Sequence, residues 1–185
     1  IPKRDWSSDV CSSDLYTPAV QLRSGNNPSK GTIQVPGYGG GANWQSGGAD
    51  PETGYVYVGS NTAPTIIGLN PNPKASVTDP DENDYTQGNG GAPQLPNNLR
   101  LLKPPYGRIT AYDMNQGTIA WQVPNGDTPP NIKAQFAAAG LTNIPPTGSP
   151  SQAGLLVTKT FLIAGEGGGG QPILHAYDKK TGENV

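Results

Sequence analysis

The sequence is poor in the residues that most often carry metal, redox or membrane functions. Its 185 residues include one cysteine, one histidine and one methionine, and charged residues make up 14% of the chain. A single histidine, His175, cannot build a multi-histidine metal site. No run of 18 apolar residues is present to span a bilayer. A sequence pI near 5.2 without a basic run argues against nucleic acid or an anionic membrane surface as partner.

Glycine and proline are abundant instead, with 26 and 20 copies. Such a composition approaches that of low-complexity disordered chains. Disordered chains, however, usually combine a large net charge with few strand-forming residues. Here the net charge is −2, and short apolar and aromatic runs recur between the glycines. These features predict an all-β protein with many turns.

The first 15 residues differ in character from the rest of the chain. The segment Arg4–Leu15 resembles a peptide that recurs in metagenome-derived sequences when sequencing-adapter DNA is translated. We therefore expect residues 1–15 to be non-native or disordered, and we assign no redox role to Cys11. An ordinary polar terminal arm is the alternative, and it would be equally disordered.

One short pattern occurs twice. Ala111–Asp113 is followed by Gly117, and Ala176–Asp178, 65 positions later, is followed by Gly182 in the same spacing. In the first copy Trp121 follows the glycine by four positions, and the matching position of the second copy falls one past the end of the chain. A repeat of this kind indicates one piece of a larger array.

The pattern of turns and apolar runs predicts many short strands, one helix at Asn131–Ala139 and two long insertions, at Asn70–Pro104 and Gln122–Ser149. We predict strands over Thr32–Val35, Tyr55–Val58, Thr65–Leu69, Arg108–Tyr112, Thr118–Val123, Leu155–Thr158, Thr160–Ala164, Pro172–Tyr177 and after Gly182. Four short antiparallel strands per repeated unit are typical of propeller blades. We expect the Trp121 ring to pack on the backbone of the adjoining blade at a glycine, with its N–H bonded to a carbonyl.

Three other patterns receive ordinary structural interpretations. Gly165–Gly170 matches G-x-G-x-x-G, but a strand follows rather than a helix, so we predict a blade loop and no nucleotide site. Asp79–Asp84 begins like a calcium loop but lacks its glycine and its final glutamate, which favours a solvated acidic loop. We expect His175 to be structural.

Several segments together resemble a known family. They are Pro36–Trp44, Asp50–Gly54, Lys103–Ala111, Val123–Asp127, Leu156–Thr160 and Ala176–Gly182. In this order they resemble the C-terminal part of dehydrogenases that depend on pyrroloquinoline quinone (PQQ), and most closely the glucose/quinate-type branch. The resemblance implies that residues 16–185 form part of an eight-bladed quinoprotein propeller.

The resemblance also implies a function. Enzymes of this family oxidise an alcohol or sugar in the periplasm, in some cases anchored to the inner membrane. PQQ lies at the propeller centre, Ca²⁺ polarises its quinone, and an aspartate takes the substrate's hydroxyl proton as hydride passes to PQQ. Electrons then leave to a membrane quinone or a cytochrome.

Carried over residue by residue, the resemblance marks Asn43 and Trp44 as cofactor-binding residues. The general base, the calcium ligands and the cofactor-pairing lysine of the family would lie upstream, so we expect no catalytic or metal-binding residue here and no activity of this polypeptide alone. Two alternatives stay open: a non-enzymatic propeller of the same repeat type that serves as a protein-binding scaffold in the cell envelope, and a secreted β-rich binding module.

Overall fold

The structure is a computed structural model that describes residues 19–22, 30–72, 84–150, 154–167 and 171–185. The predicted non-native segment 1–15 and the acidic loop, apart from Asp84, lie outside these ranges. The chain divides into two compact units, one of residues 1–34 and 65–92 and the other of residues 35–64 and 93–185.

Short strands dominate both units, which confirms the all-β prediction. The strands are β1 (Val20–Gln21), β2 (Thr32–Gln34), β3 (Gly47–Asp50), β4 (Tyr55–Asn61), β5 (Thr65–Pro71), β6 (Tyr85–Gly91), β7 (Gly107–Asp113), β8 (Thr118–Pro124), β9 (Leu155–Val157), β10 (Phe161–Gly165) and β11 (Leu174–Asp178). Among the described residues, one α-helix, α1 (Pro130–Ala138), accompanies them, together with short 3-10 turns at Trp44–Ser46 and Pro96–Asn98. No helix in the described ranges has the length and apolarity needed to cross a bilayer.

The larger unit contains two blade-type sheets. Strands β3, β4, β7 and β8 form a four-stranded antiparallel sheet in that spatial order, which we call the first blade. Strands β9, β10 and β11 form an antiparallel sheet that we call the second blade. The segment after Gly182 was predicted as a further strand; within the chain it forms a single bridge, between Asn184 and Tyr177. Both sheets are the propeller-type repeats that the sequence predicted.

The insertion between β4 and β7 differs from its prediction. Asn70–Pro104 was expected to lack regular structure, yet β6 lies within it and pairs antiparallel with β5. Strand β5 also pairs with β1 and β2, so this hairpin belongs to the smaller unit rather than to the first blade. Four of the seven residues of β6 are glycine or asparagine, so hydrophobic alternation could not reveal it; backbone pairing with β5 defines the strand.

Helix α1 confirms the predicted helix to within one residue at each end. Pro130 occupies the first turn, where the missing N–H costs no helical hydrogen bond. Ile132 and Phe136, one turn apart, are buried against Tyr106 and the partly buried Leu99. The helix therefore closes over the loop that leads into β7.

A continuous core joins the two blades. Its buried residues are Tyr57, Ile109, Ala111 and Trp121 from the first blade and Leu162, Ala164 and Tyr177 from the second. The Trp121 ring lies so close to the turn at Gly182 that a Cβ there would come within 2.6 Å of Cε3. Trp121 Nε1 donates to the carbonyl of Lys179 over 3.0 Å. Both parts of the packing predicted for Trp121 are thus confirmed.

Lys179 contributes two more bonds to this interface. Its carbonyl also accepts the Tyr57 hydroxyl over 3.2 Å, and burial raises the pKa of Tyr57 to about 12, so the phenol stays a donor at ordinary pH. Its ammonium forms a buried ion pair with Asp50, with Nζ 2.5 Å from Oδ2. The hydrogen bond from Lys179 lowers the pKa of Asp50. One residue of the second blade thus receives two hydrogen bonds and one ion pair from the first.

The two repeated turns offer a matched test of the Trp121 contact. Gly117 and Gly182 have φ of +67° and +74°, but a Cβ at Gly117 would meet nothing within 4 Å. In both alanine variants the left-handed backbone conformation should lower the unfolding free energy by about 1–2 kcal/mol. Only Gly182→Ala also pushes against Trp121, at a further cost of about 1–3 kcal/mol. Urea unfolding should show the larger loss for Gly182→Ala; equal losses would contradict the contact.

Acid should weaken the Asp50–Lys179 pair in a characteristic way. Because the pKa of Asp50 is lowered in the folded state, the pair's contribution is complete above the unfolded pKa of about 4 and is lost as pH falls through the folded value. Asp50→Asn should therefore reduce the fall in unfolding free energy below about pH 4, measured by urea titration at several pH values.

The exposed pair between Asp127 and Lys133 is the control for this measurement. The pKa of Asp127 is also lowered, mainly by its bond with Lys133. Salt at about 1 M screens an exposed pair but hardly a buried one. The effect of Asp127→Asn on the acid dependence of stability should therefore shrink in about 1 M NaCl, whereas that of Asp50→Asn should persist. An Asp50→Asn variant with the wild-type acid dependence would refute the prediction.

Candidate functional site

The two ends of the first blade differ in chemistry. We call one end the upper edge; it consists of residues 36–46, 61–63, 106–108 and 124–126, where β3 and β7 begin and β4 and β8 end. The other end, the lower edge, holds the turns after β3 and β7 and the matching turn of the second blade. Both predicted site residues, Asn43 and Trp44, lie at the upper edge.

Hydrogen bonds to the end of β4 hold the glycine-rich loop at the upper edge. The Gly37 amide donates to the carbonyl of Ala63 over 2.9 Å, and the Asn61 amide donates to that of Gly41 over 2.7 Å. The loop also closes on itself, with the Gly40 amide 2.8 Å from the Gly37 carbonyl. These three hydrogen bonds fix the backbone just before Asn43 and Trp44.

Asn43 is held in place by one half of its side-chain amide. Its backbone is extended, and Oδ1 accepts the Trp44 N–H over 2.8 Å, which caps the following 3-10 turn. The Asn43 side chain is exposed. Its Nδ2 makes no hydrogen bond with any residue that the structure describes. The carboxamide is therefore oriented by the protein while its donor half remains available to a ligand.

Trp44 has an unusual environment for a tryptophan. Its side chain is 87% exposed, whereas Trp121 is 9% exposed in the blade interface. Tyr38, on the same loop, is also exposed. An aromatic ring that the protein leaves uncovered beside an available amide donor suits a flat, polar ligand.

Arg108 is a further upper-edge residue, to which the sequence interpretation gave no role. It begins β7, is partly buried, and donates from Nη1 to the Thr62 hydroxyl over 2.8 Å. The Thr62 amide in turn donates to the carbonyl of Tyr106 over 2.7 Å. One sequence signal could have identified Arg108. No acidic residue occurs between Tyr85 and Tyr112, so Arg108 has no ion-pair partner close to it in the sequence.

Asn125, in the segment Val123–Asp127, links the first blade to the second. Its Nδ2 donates to the Gly165 carbonyl over 2.8 Å, and its Oδ1 accepts the Tyr177 hydroxyl over 3.3 Å. Its backbone N–H and carbonyl bond to Gly107 and Ser149. All four polar groups of this buried residue are satisfied, so its role is to join the upper ends of the two blades.

His175 occupies a structural setting, in agreement with its predicted role. Its Nε2 lies 2.8 Å from Oε1 of the buried Glu166, and its Nδ1 lies 3.3 Å from the Asn184 amide nitrogen. Glu166 also accepts the Gln171 N–H over 2.6 Å. A cleft of about 480 Å³ adjoins His175, but both ring nitrogens already have partners. Residues 168–170 of the predicted blade loop lie outside the described ranges.

A cleft of about 680 Å³ lies at the lower edge and not beside Asn43. Its two aspartates bond to backbone amides of their own turns. Asp113 Oδ1 accepts the amides of Asn115 and Gln116, and Asp178 Oδ1 accepts those of Lys180 and Thr181. The bond from Thr181 is the main cause of the lowered pKa of Asp178. These two carboxylates close turns, and the residues predicted to bind the cofactor lie at the upper edge, so the upper edge is the better candidate site.

A metal centre is not evident in the described ranges. No group of three or more histidine, cysteine, aspartate or glutamate side chains lies there in a position to hold an ion. The expectation that the calcium ligands lie upstream stays a prediction.

Comparison with known proteins gives a consistent result. The family model for the β-propeller domain of PQQ-type glucose, ethanol and alcohol dehydrogenases matches residues 3–185. The glycerol dehydrogenase large subunit of Gluconobacter thailandicus is 31% identical over 177 residues, covering 83% of this chain and 23% of that protein. The quinate/shikimate dehydrogenase (quinone) of Acinetobacter baylyi is 30% identical over 158 residues, covering 71% and 18%.

A solved structure is also similar. A quinohemoprotein alcohol dehydrogenase from Pseudomonas putida HK5 aligns with a TM-score of 0.43 and 19% identity, over 86% of this chain and 20% of that one. The chain thus spans less than a quarter of the length of the curated relatives it matches. The family match begins at residue 3, and the assignment of residues 1–15 as non-native stays a prediction.

The capping role of Asn43 can be separated from its free donor by two substitutions. Asn43→Ala removes the oxygen that accepts the Trp44 N–H and should lower the unfolding free energy by about 0.5–2 kcal/mol. Asn43→Asp keeps that oxygen and should retain the wild-type stability. Thermal and urea unfolding of both variants test the cap, and equal destabilisation by both would contradict it.

Proposed function

Because the chain belongs to the β-propeller family of PQQ-type glucose, ethanol and alcohol dehydrogenases, we propose that it forms part of the cofactor site of an enzyme that oxidises alcohols or sugars. The observation that carries the proposal is the pair of an exposed Trp44 ring and an oriented Asn43 amide with an available donor. Relatives named as glycerol and quinate/shikimate dehydrogenases support small polyhydroxy compounds as substrates.

The chemistry of the upper edge fits PQQ, a flat tricyclic quinone that carries carboxylates. Trp44 offers an uncovered aromatic face for its rings. Asn43 offers an N–H donor for a quinone oxygen, and Arg108 adds a cation on the same edge. When bound, PQQ supplies the hydride acceptor that side chains cannot provide.

Asn43 would act by stabilising charge. A donor already aimed at an oxygen on which negative charge develops lowers the barrier, because no reorganisation is needed during the reaction. The bond between Asn43 Oδ1 and the Trp44 N–H provides this prior orientation. Trp44 would position the ring system beside the same donor.

The proton of the substrate hydroxyl needs an acceptor from outside the upper edge. The residues that form this edge include no aspartate or glutamate. We infer that the general base and the Ca²⁺ ligands belong to other parts of the full-length protein, so the chain alone is inactive. The proposal includes a periplasmic location and a membrane quinone or cytochrome as electron acceptor.

The affinity for PQQ tests the role of Trp44. In protein expressed from the complete reading frame that contains these residues, loss of an aromatic stack of about 0.5–1.5 kcal/mol should weaken PQQ binding about 2- to 12-fold in Trp44→Ala. Trp44→Phe should keep most of the affinity. Equilibrium dialysis measures both, and Tyr112→Ala, an exposed aromatic of β7, is the control.

Turnover tests the role of Asn43 separately. Loss of one preorganised donor to developing negative charge typically lowers kcat about 10²- to 10³-fold, so Asn43→Asp should lose at least tenfold in kcat with a reduced dye as readout. Unchanged PQQ affinity in Trp44→Ala together with unchanged kcat in Asn43→Asp would overturn the proposed site. A wild-type protein that neither binds PQQ nor oxidises alcohols would favour the scaffold alternative.

A further inference from the structure

Arg108 is a partly buried cation at the upper edge. Among the described residues its guanidinium makes one hydrogen bond, from Nη1 to the Thr62 hydroxyl over 2.8 Å. It forms no ion pair with any residue that the structure describes. A guanidinium has five N–H donors in a planar fork, so most of its hydrogen-bonding capacity is unused. Arg108 also lies on the face of β7 opposite to the buried Ile109, outside the core between the blades.

The segments that form the upper edge around Arg108 contain no acidic residue. Neither the glycine-rich stretch 35–49 nor the stretch 85–112 contains an aspartate or glutamate. Two carboxylates that follow β8 in the chain have cationic or imidazole partners, Asp127 with Lys133 and Glu166 with His175. An anion that neutralises Arg108 must therefore come from outside these segments.

The other two cations of the segment differ from Arg108. The Arg100 guanidinium stacks on the Tyr106 ring, 4.7 Å from its centroid, so a protein group already occupies its face. Lys103 is exposed and fully available to solvent. Both arginines are partly buried, but only Arg108 lies among the residues of the upper edge.

Arg108 is also connected to the candidate cofactor residues. Thr62, which orients its guanidinium, follows Asn61, and the Asn61 amide holds the Gly41 carbonyl two residues before Asn43. Thr62 therefore orients the Arg108 guanidinium, and the preceding residue, Asn61, holds the loop that carries the Asn43 amide. Both Arg108 and Asn43 are therefore positioned by the same segment at the end of β4.

We propose that Arg108 binds a carboxylate of the ligand held at the upper edge. The inference rests on the proposed function for the identity of that ligand, and the carboxylate can belong to a polyhydroxy-acid substrate or to PQQ. A guanidinium matches a carboxylate with two parallel N–H···O bonds, which neutral hydroxyls cannot reproduce. Arg108 is then a specificity residue in the first case and a cofactor anchor in the second.

The test compares ligands that differ in a carboxylate. Protein from the complete reading frame, loaded with PQQ, is assayed for kcat/KM with quinate and with glycerol. Calorimetric affinities for PQQ, for quinate and for myo-inositol, a cyclic polyol without a carboxylate, give a readout that needs no turnover. The variants are Arg108→Gln, Arg108→Lys and the control Lys103→Gln, which removes an exposed cation from the same segment.

The measured losses show whether the carboxylate bound by Arg108 belongs to the substrate or to PQQ. A loss of at least tenfold for quinate in Arg108→Gln, with less than twofold change for glycerol, myo-inositol and PQQ, assigns the carboxylate to the substrate. A loss of at least tenfold in PQQ affinity assigns it to the cofactor. In either case Arg108→Lys should lie between wild type and Arg108→Gln, and Lys103→Gln should resemble wild type.

Equal ligand affinities in wild type and Arg108→Gln would overturn the inference. Failure of the proposed function looks different: the wild-type protein would show no alcohol oxidation with PQQ. Calorimetry would still report whether carboxylate binding depends on Arg108. The two failures are therefore distinguishable in one set of measurements.

Discussion

The larger unit depends on a single stretch of backbone, the turn at residues 178–182. The Lys179 carbonyl accepts hydrogen bonds from Trp121 and Tyr57, and the Trp121 ring covers Gly182. A carbonyl can accept two such bonds only if both donors approach in fixed directions, so these contacts define how the second blade docks on the first. The buried pair between Lys179 and Asp50 adds an electrostatic requirement at the same place. Packing, hydrogen bonding and charge all act on this one turn.

The docking separates the chemistry of the two ends of the blades. At the lower edge, the turn aspartates bond to backbone amides and Asp50 bonds to Lys179, so the acidic groups serve structure. At the upper edge, Asn125 joins the blades with every polar group satisfied. The same edge carries an exposed ring, that of Trp44. It also carries side-chain N–H donors of Asn43 and Arg108 that no described residue uses. A rigid scaffold with free groups at one edge is the arrangement expected of a binding site.

Much of this arrangement was predictable from local patterns. The repeated Ala-Tyr-Asp motif with its glycine predicted the blades, and the expected packing of Trp121 was found at Gly182. Helix α1 was predictable because Pro130 and Gly140 bracket an alanine-rich segment. Strand β6 was not, since its glycine-rich sequence has no alternation, and pairing with β5 determines it.

Polar pairs between residues far apart in the chain could not be predicted from the sequence either. Asp50 and Lys179 are 129 positions apart, and nothing in either local sequence indicates the other. The same holds for Asn125 with Tyr177 and Gly165. The prediction of Asn43 and Trp44 as cofactor residues came from resemblance. The structure adds that their exposed groups are available and that Arg108 shares their edge, a fact that depends on how the chain folds around Thr62.

A crystal structure of the complete protein with bound PQQ tests the central claim most directly. The account predicts that PQQ contacts the Trp44 ring and that a quinone oxygen accepts a hydrogen bond from Asn43 Nδ2, with the Asn43 Oδ1 cap on Trp44 intact. PQQ bound at the lower edge, or bound without contact to either Asn43 or Trp44, would contradict the account.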